Sequence, residues 1–263
     1  MTHTPPLDSV TYPMPTRGEL RIEPSPEILS ATRRWVDAVR PALGSELLAA
    51  YLSGSVLTQG FDPRQSRINL LVVARALAVP TLERLRQAIP VSKKPPHFDP
   101  LFLTGGQIEK SLDSFPIEWL EIQERNLLIE GEDVLRPLEV PRTYLRLQCE
   151  HELRGKHIQL RQAYLLLGQD AAELDRVLKA TASSFATLFR TLLRLRGEPP
   201  PAETPQVIER VADIYGVDAQ GLLSAHLARY SGRSHTAETD ASFRRFLAEV
   251  DRLVIAIDEL RVS

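Results

Sequence analysis

The hydrophobic pattern of this chain changes at Pro141, and that change constrains the fold more than any other feature of the sequence. Before Pro141, short apolar runs alternate with short amphipathic segments, as in a sheet covered by helices. After it, apolar residues recur at helical spacing over the segments 142–167, 171–196, 205–214, 218–229 and 240–260. We therefore predict an α+β fold of two domains: a mixed β-sheet with flanking helices over 26–140, and an all-α helical bundle over 141–263.

The first 25 residues follow neither pattern, because they show little apolar periodicity and carry prolines at 5, 6, 13, 15 and 24. Prolines at this density favour an extended or mobile arm that becomes ordered only on a partner surface. The sequence Ser25-Pro26-Glu27 then predicts the start of a helix, since a hydroxyl cap, a proline in the first turn and an early acid all favour a helix N-terminus. We expect this helix to end near Pro41.

Short apolar runs and turn residues predict the elements of the first domain. The runs at 47–52 and 68–73 are predicted to be buried strands, and Ser53-Gly54-Ser55 ends the first of them. The other predicted elements are a helix at 80–89, a strand at 99–104, a helix at 107–112 and strands at 115–122 and 126–129. Because strands and helices alternate here, the sheet is expected to be mixed.

Charge and cysteine content exclude several classes of function. The formal net charge is -2, from 32 basic and 34 acidic residues, so no general attraction to nucleic acid or to an anionic membrane is expected. Cys149 is the only cysteine, which excludes an internal disulfide and a cysteine-rich zinc site. The sequence shows neither a signal peptide nor an apolar run of membrane-spanning length, and we expect a soluble protein of the cytoplasm.

The segment between the first two predicted strands contains the residues that suggest a phosphate-binding site. It contains Gly54-Ser55 and Gly60, and Arg67-Ile68-Asn69 begins the second strand. A glycine lets the backbone approach phosphates, and a serine hydroxyl can donate to them. Residues two apart on a strand project to the same face, so two carboxylates at such positions could hold magnesium against a triphosphate.

These residues resemble the signature of the DNA polymerase beta-like nucleotidyltransferase superfamily, in which a strand ends in Gly-Ser and the next strand carries two carboxylates one residue apart. Phe115-Pro-Ile-Glu-Trp, Leu128-Ile-Glu-Gly-Glu-Asp133 and the helical tail extend the resemblance, over most of 30–260, to the bacterial two-domain antibiotic-type (kanamycin or aminoglycoside) nucleotidyltransferases. The resemblance implies a nucleotidyltransferase-type sheet domain and a nucleoside triphosphate bound at Gly54 and Ser55.

The same resemblance places Arg67 and Asn69 where the family has its metal-binding carboxylates, so the motif is degenerate. A fixed positive charge beside a divalent cation costs roughly 4 kcal/mol at close range in a medium of intermediate dielectric. Asn69 is a neutral and weaker ligand. Asp62 in the loop is a further candidate metal ligand beside Asn69. Glu118 and Glu121 are the candidates for the family's third, catalytic carboxylate on a neighbouring strand, and the sequence does not choose between them.

A polar stripe is predicted on the first helix of the second domain, formed by Arg146, Glu150, Arg154, His157 and Arg161. The favoured interpretation is a solvated face in which Glu150 bridges arginines at helical spacing. If the stripe instead faces the sheet domain, as the corresponding helix does in the resembled family, Arg154 and Arg161 would contact phosphate or a partner.

Three functions are compatible with these residues. The favoured one is a catalytically degenerate nucleotidyltransferase-like protein, a pseudoenzyme that serves as a nucleotide- or protein-binding scaffold. The second is an active enzyme that transfers a nucleoside monophosphate from a nucleoside triphosphate to a small-molecule or protein hydroxyl, and only then is magnesium required. Its altered site is either a weaker metal site of Asp62, Asn69 and Glu118 or Glu121, or a site in which Arg67 itself binds phosphate in place of the metal. The third is a module whose helical domain mediates homo-oligomer formation.

Overall fold

The computed structural model of the protein describes residues 22–58, 61–64, 66–228 and 236–260. Most of the predicted N-terminal arm and Gly60 of the motif therefore lie outside the described residues. The boundary between two compact units falls between Pro141 and Arg142, where the hydrophobic pattern changes.

Helix α1 (Pro26–Leu43) begins where the sequence predicted it. The Oγ atom of Ser25 accepts a hydrogen bond from the backbone N–H of Ile28, and Pro26 occupies the first turn, where its missing N–H costs nothing. The buried face of the helix carries Trp35, Val36 and Val39, which pack on the sheet.

Within the described residues, four strands form one sheet: β1 (Leu47–Ser53), β2 (Ile68–Ala74), β3 (Phe98–Thr104) and β4 (Asn126–Gly131). Their order is β3-β2-β1-β4. Strand β1 is antiparallel to both β2 and β4, whereas β2 and β3 are parallel and are connected through helix α2 (Val79–Ala88). The sheet is therefore mixed, as predicted.

Each face of the sheet is covered by its own hydrophobic core. On one face, Leu52 and Leu70 pack with residues of α1 and α2. On the other face, Tyr51 and Leu71 pack with Trp119 of helix α4 (Pro116–Glu124) and with helix α3 (Gly105–Lys110). The alternation of side chains along β1 and β2 assigns each residue to one core or the other.

The prediction of a strand at 115–122 was wrong, because this segment forms α4. Its run of apolar residues suggested a buried strand, but the buried residues recur at helical spacing, with Ile117, Leu120 and Glu124 among them. Pro116 in the first turn and Glu118 after it are also signals for a helix start. The strand predicted at 126–129 is confirmed as β4.

Beyond Pro141 the described chain is helical, as predicted. The helices are α5 (Arg142–Leu167), α6 (Ala171–Leu195), α7 (Thr204–Tyr215), α8 (Ala219–Ala228) and α9 (Thr236–Asp258). Helices α5, α6 and α9 pack on one another, and Phe185 of α6 meets Phe246 of α9 edge to face at 4.9 Å between ring centroids. Among the described residues, no helix combines the length and the apolar character needed to cross a bilayer.

Candidate functional site

The end of β1 and the starts of β2 and β3 lie side by side along one rim of the sheet. This row of strand ends, with Gly54, Asn69 and Asp99, is the sheet edge. Ser53, the last residue of β1, is paired with Asn69 at the start of β2. Asn69 is in turn paired with Asp99 at the start of the parallel strand β3. Gly54 and Asn69 therefore lie close together beside Asp99.

Gly54 and Asn69 are in close contact. A methyl group added at Gly54 would lie 2.9 Å from Nδ2 of Asn69, and Gly54 has a φ of 78°, which is strained for a residue with a side chain. The chain then forms a short 3-10 turn over Gly54–Leu57, in which the carbonyl oxygen of Ser55 accepts from the backbone N–H and the hydroxyl of Thr58. Ser55 itself is exposed on this turn.

Asp99 is a carboxylate that the sequence analysis did not single out. Paired residues on parallel strands project to the same face, so Asp99 and Asn69 share a face, followed along their strands by Leu103 and Leu71. Both Asp99 and Asn69 are exposed. The sequence contained one signal for this residue, namely an acid at the start of a predicted strand, but nothing local showed which strand would lie beside Asn69.

Arg67 directly precedes the first residue of β2 and is exposed. Arg67 lines a cavity of about 700 Å³ on the side of the sheet covered by α1, together with Trp35 and Phe98. The arrangement expected of two neighbouring metal ligands on one strand is therefore not formed by Arg67 and Asn69.

The remaining metal and carboxylate candidates lie elsewhere in the sheet domain. Asp62 organises its own loop, since its Oδ1 accepts from the backbone N–H of Arg64 at 2.9 Å and its carbonyl oxygen accepts from that of Ser66. Glu118 is exposed in the first turn of α4, and Oε2 of Glu121 lies 3.9 Å from Nη1 of Arg125. The prediction that these two glutamates lie on a strand was wrong, because both belong to a helix.

The donors at the sheet edge do not match a magnesium site with two carboxylates. Among the described residues at these strand ends, the oxygen ligands are the carboxylate of Asp99, the amide oxygen of Asn69 and the hydroxyl of Ser55. Magnesium favours hard, anionic oxygen ligands and leaves the remaining positions to water and substrate phosphates. Among the described residues, no group of three or more His, Cys, Asp or Glu side chains could hold a metal ion.

The polar stripe on α5 is an ion-paired face within the helical unit. Nε of Arg154 lies 3.0 Å from Oε1 of Glu150, and its Nη2 lies 2.6 Å from Oδ1 of Asp258 on α9. Arg146 pairs with the other oxygen of Glu150 at 2.9 Å. Arg161, further along the helix, is exposed. Glu150 thus bridges two arginines at helical spacing, as the favoured interpretation expected. The face is not fully solvated, however, because the stripe contacts α9 and His157 is buried.

No protein-family model matches the sequence, and no curated protein sequence matches it. The fold does match solved structures. One is a crystal structure of spectinomycin adenyltransferase AAD(9) from Enterococcus faecialis with ATP and spectinomycin, which is 14% identical in sequence. The match covers 86% of this chain and 98% of that one, with a TM-score of 0.50. At this identity the match concerns the fold: a nucleotidyltransferase-type sheet domain followed by a helical domain.

Proposed function

We propose that this protein binds a nucleoside triphosphate at the sheet edge formed by Gly54, Ser55 and Asn69 without assembling a two-carboxylate magnesium site. It would then act as a nucleotide-binding scaffold and not as a transferase. The observation that carries the proposal is the carboxamide of Asn69, packed against Gly54 where the resembled family has a metal-binding carboxylate.

The phosphate-binding part of this proposal rests on the turn after β1. Gly54 has no side chain to keep a ligand away from the backbone, and the exposed Ser55 hydroxyl can donate to a phosphate oxygen. The spectinomycin adenyltransferase of the same fold was crystallised with ATP. That structure supports ATP as the first nucleotide to test.

We propose that the protein does not turn over the triphosphate because the sheet edge offers too little negative charge to hold magnesium. A magnesium ion that must bridge protein and triphosphate would find one carboxylate, that of Asp99, and the neutral amide of Asn69. Replacing an anionic ligand by a neutral one removes much of the attraction that holds a divalent ion. Binding of the triphosphate must then depend on the turn and not on the metal.

Pyrophosphate release tests the proposal. The full chain is incubated with ATP, GTP, CTP or UTP, with and without magnesium, and with hydroxyl compounds such as spectinomycin as acceptor. We expect no release above the protein-free control with any nucleotide. Magnesium-dependent release that is abolished by Asp99→Asn would contradict the scaffold proposal.

A second candidate function is an altered nucleotidyltransferase that transfers a nucleoside monophosphate to a hydroxyl. The observation that favours it is the pairing of Asp99 with Asn69, which supplies one carboxylate at the sheet edge from a neighbouring strand. On this alternative, Asp99 and Asn69 together hold magnesium, and Asp99→Asn lowers turnover strongly while Asp62→Asn has little effect. An inactive wild-type protein removes this candidate.

A further inference from the structure

The cavity that Arg67 lines is basic, and it lies on the opposite side of the sheet from Asn69. It has a volume of about 700 Å³ and is bounded by α1, by Arg67 and by the segment 89–98 that leads into β3. Gly54, Ser55 and Asn69 are not among its lining residues. This cavity is therefore distinct from the nucleotide site proposed above.

The polar groups that line the cavity include three permanent cations. These are the guanidinium groups of Arg34 and Arg67 and the ammonium group of Lys94, and the imidazole of His97 lies in the same lining. Among the described residues, no Asp or Glu lines the cavity. All three residues are exposed, and because no acid stands in the lining, an anion bound there is attracted to their positive charges without competition from a carboxylate.

These cations also have no carboxylate partner elsewhere in the described part of the chain. The Nη1 atom of Arg34 donates to the neutral Oγ of Ser30 at 2.7 Å. By contrast, Arg40 on the same helix is paired with both Asp37 and Glu130. Within the described residues, the cations of the cavity are thus available to a ligand.

The rest of the lining is apolar and includes aromatic surface. Trp35 forms part of it and lies 5.9 Å from the ring of Phe98 between centroids. The other apolar members of the lining are Ala31, Ile89, Pro90, Val91, Pro95 and Pro96. Cavities of several hundred Å³ that combine apolar walls with a few convergent polar groups are typical small-molecule sites.

We propose that this cavity binds a phosphorylated small molecule. The phosphate lies among Arg34, Arg67 and Lys94, and the apolar part of the ligand lies against the proline- and isoleucine-lined wall. A dianionic phosphate matches the charge of these residues better than a single carboxylate does, and guanidinium groups bind phosphate through paired hydrogen bonds. The proposal gives Arg67 a role that does not depend on the nucleotide site.

The test uses phenyl phosphate as the probe, with inorganic phosphate and benzoate as comparison ligands. Isothermal titration of the full chain should give the tightest binding for phenyl phosphate, because it alone offers both a dianion and a ring. Inorganic phosphate lacks the apolar contact, and benzoate lacks the second charge. Binding of benzoate as tight as that of phenyl phosphate would overturn the proposed phosphate site.

Charge reversal at neighbouring residues supplies matched controls. Arg34→Glu and Lys94→Glu each place an acid in the cavity lining, whereas Arg33→Glu and Lys93→Glu make the same change at the preceding, exposed residue outside the lining. We expect the first two variants to weaken phenyl phosphate binding by about tenfold or more and the controls by less than about twofold.

Two further variants complete the test. Arg34→Gln, which removes charge without reversing it, should weaken binding by an intermediate factor, and Asn69→Asp should leave it unchanged. Equal weakening by all four charge reversals would show a non-specific electrostatic effect and overturn the site. Loss of phenyl phosphate binding on Asn69→Asp would place the ligand at the nucleotide site, which also overturns the proposal. Failure of ATP to bind the protein leaves the expected phenyl phosphate results unchanged.

Discussion

Asn69 and Asp99 form a pair that differs from a metal site by one functional group. The two residues face the same side of the sheet on adjacent strands, one as an amide and the other as a carboxylate. In the absence of a cation, a second carboxylate at position 69 would be repelled by Asp99. An amide at position 69 avoids this repulsion.

Asn69→Asp is expected to make the thermal stability of the protein depend on magnesium. Without magnesium the variant should melt at a lower temperature than wild type, by an amount corresponding to about 1 kcal/mol, because two carboxylates face each other. Magnesium should restore part of the loss in the variant and leave the wild type unchanged. The measurement is thermal unfolding with magnesium and with EDTA.

The double variant Asn69→Asp/Asp99→Asn provides the control, because it returns the number of carboxylates at the edge to one. Its melting temperature should again be independent of magnesium. A magnesium response in this double variant as large as in Asn69→Asp would contradict the assignment of Asp99 as the second ligand.

Gly54→Ala tests the contact between the turn and Asn69. The added methyl group would lie 2.9 Å from Nδ2 of Asn69 on a backbone with φ of 78°, so we expect a loss of about 1–2 kcal/mol in the free energy of unfolding. Gly106→Ala on α3 is the matched change, since nothing lies within 4 Å of the added atom there. Chemical denaturation measures both, and equal stability of the two variants would be inconsistent with the strained turn.

Among the secondary-structure elements, those that depend on local pattern could be predicted from the sequence. The start of α1 followed from Ser25 and Pro26, and the long helices beyond Pro141 followed from apolar residues at helical spacing. Helix α4 was mistaken for a strand because nine residues dense in apolar side chains fit a buried strand as well as a short helix, although Pro116 in its first turn favours a helix start.

The candidate site could be predicted only where it depends on the local chain. Gly54-Ser55 was recognisable from its own sequence, whereas the pairing of Asn69 with Asp99 depends on a parallel crossover through α2. No tight turn joins these two strands, so their register depends on how their buried faces pack in the whole sheet. The basic cavity escaped the sequence analysis for the same reason, since Arg34, Arg67 and Lys94 come from separate segments.

In the helical unit, His157 on α5 is expected to make stability depend on pH. Burial lowers the pKa of His157, the nearby Arg161 and Arg154 lower it further, and Asp251 at 3.1 Å opposes them. The unfolded chain therefore takes up this proton more readily than the folded chain. The contribution to stability is present above the ordinary histidine pKa of 6.5 and is lost as the pH falls through the lower pKa of the folded state.

Urea unfolding at pH 7.5 and at pH 5.5 measures this contribution. The wild type should lose more stability between the two pH values than His157→Gln, which has no proton to take up at this position. His151→Gln changes an exposed histidine on the same helix and should behave as the wild type does. The same pH dependence in His157→Gln as in the wild type would contradict the assignment.

Cys149 reports on the integrity of the same helix. Burial raises the pKa of its thiol to about 12, so the reactive thiolate is scarce near neutral pH and the sulfur is shielded from reagents. We expect alkylation by iodoacetamide to be slow in the folded protein and to become fast in denaturant. Mass spectrometry after timed quenching measures both rates, and rapid alkylation of the folded protein would show that α5 does not protect this residue.

For the molecule as a whole, the proposed function separates the fold, which matches that of an adenyltransferase structure, from the metal site of the resembled family. The sheet edge keeps the glycine and the serine hydroxyl but has an amide where the resembled family has a carboxylate, and Arg67 lines a different cavity. On the proposed function, the protein retains affinity for a triphosphate without transferring a nucleotide.

The affinity of the full chain for ATP, measured by isothermal titration in excess magnesium and again in EDTA, is the decisive quantity. We predict that ATP binds under both conditions with dissociation constants that differ by less than about threefold, because the turn at Gly54 and Ser55 and not a metal holds the phosphates. Binding that requires magnesium, with affinity lost in EDTA, would contradict the account.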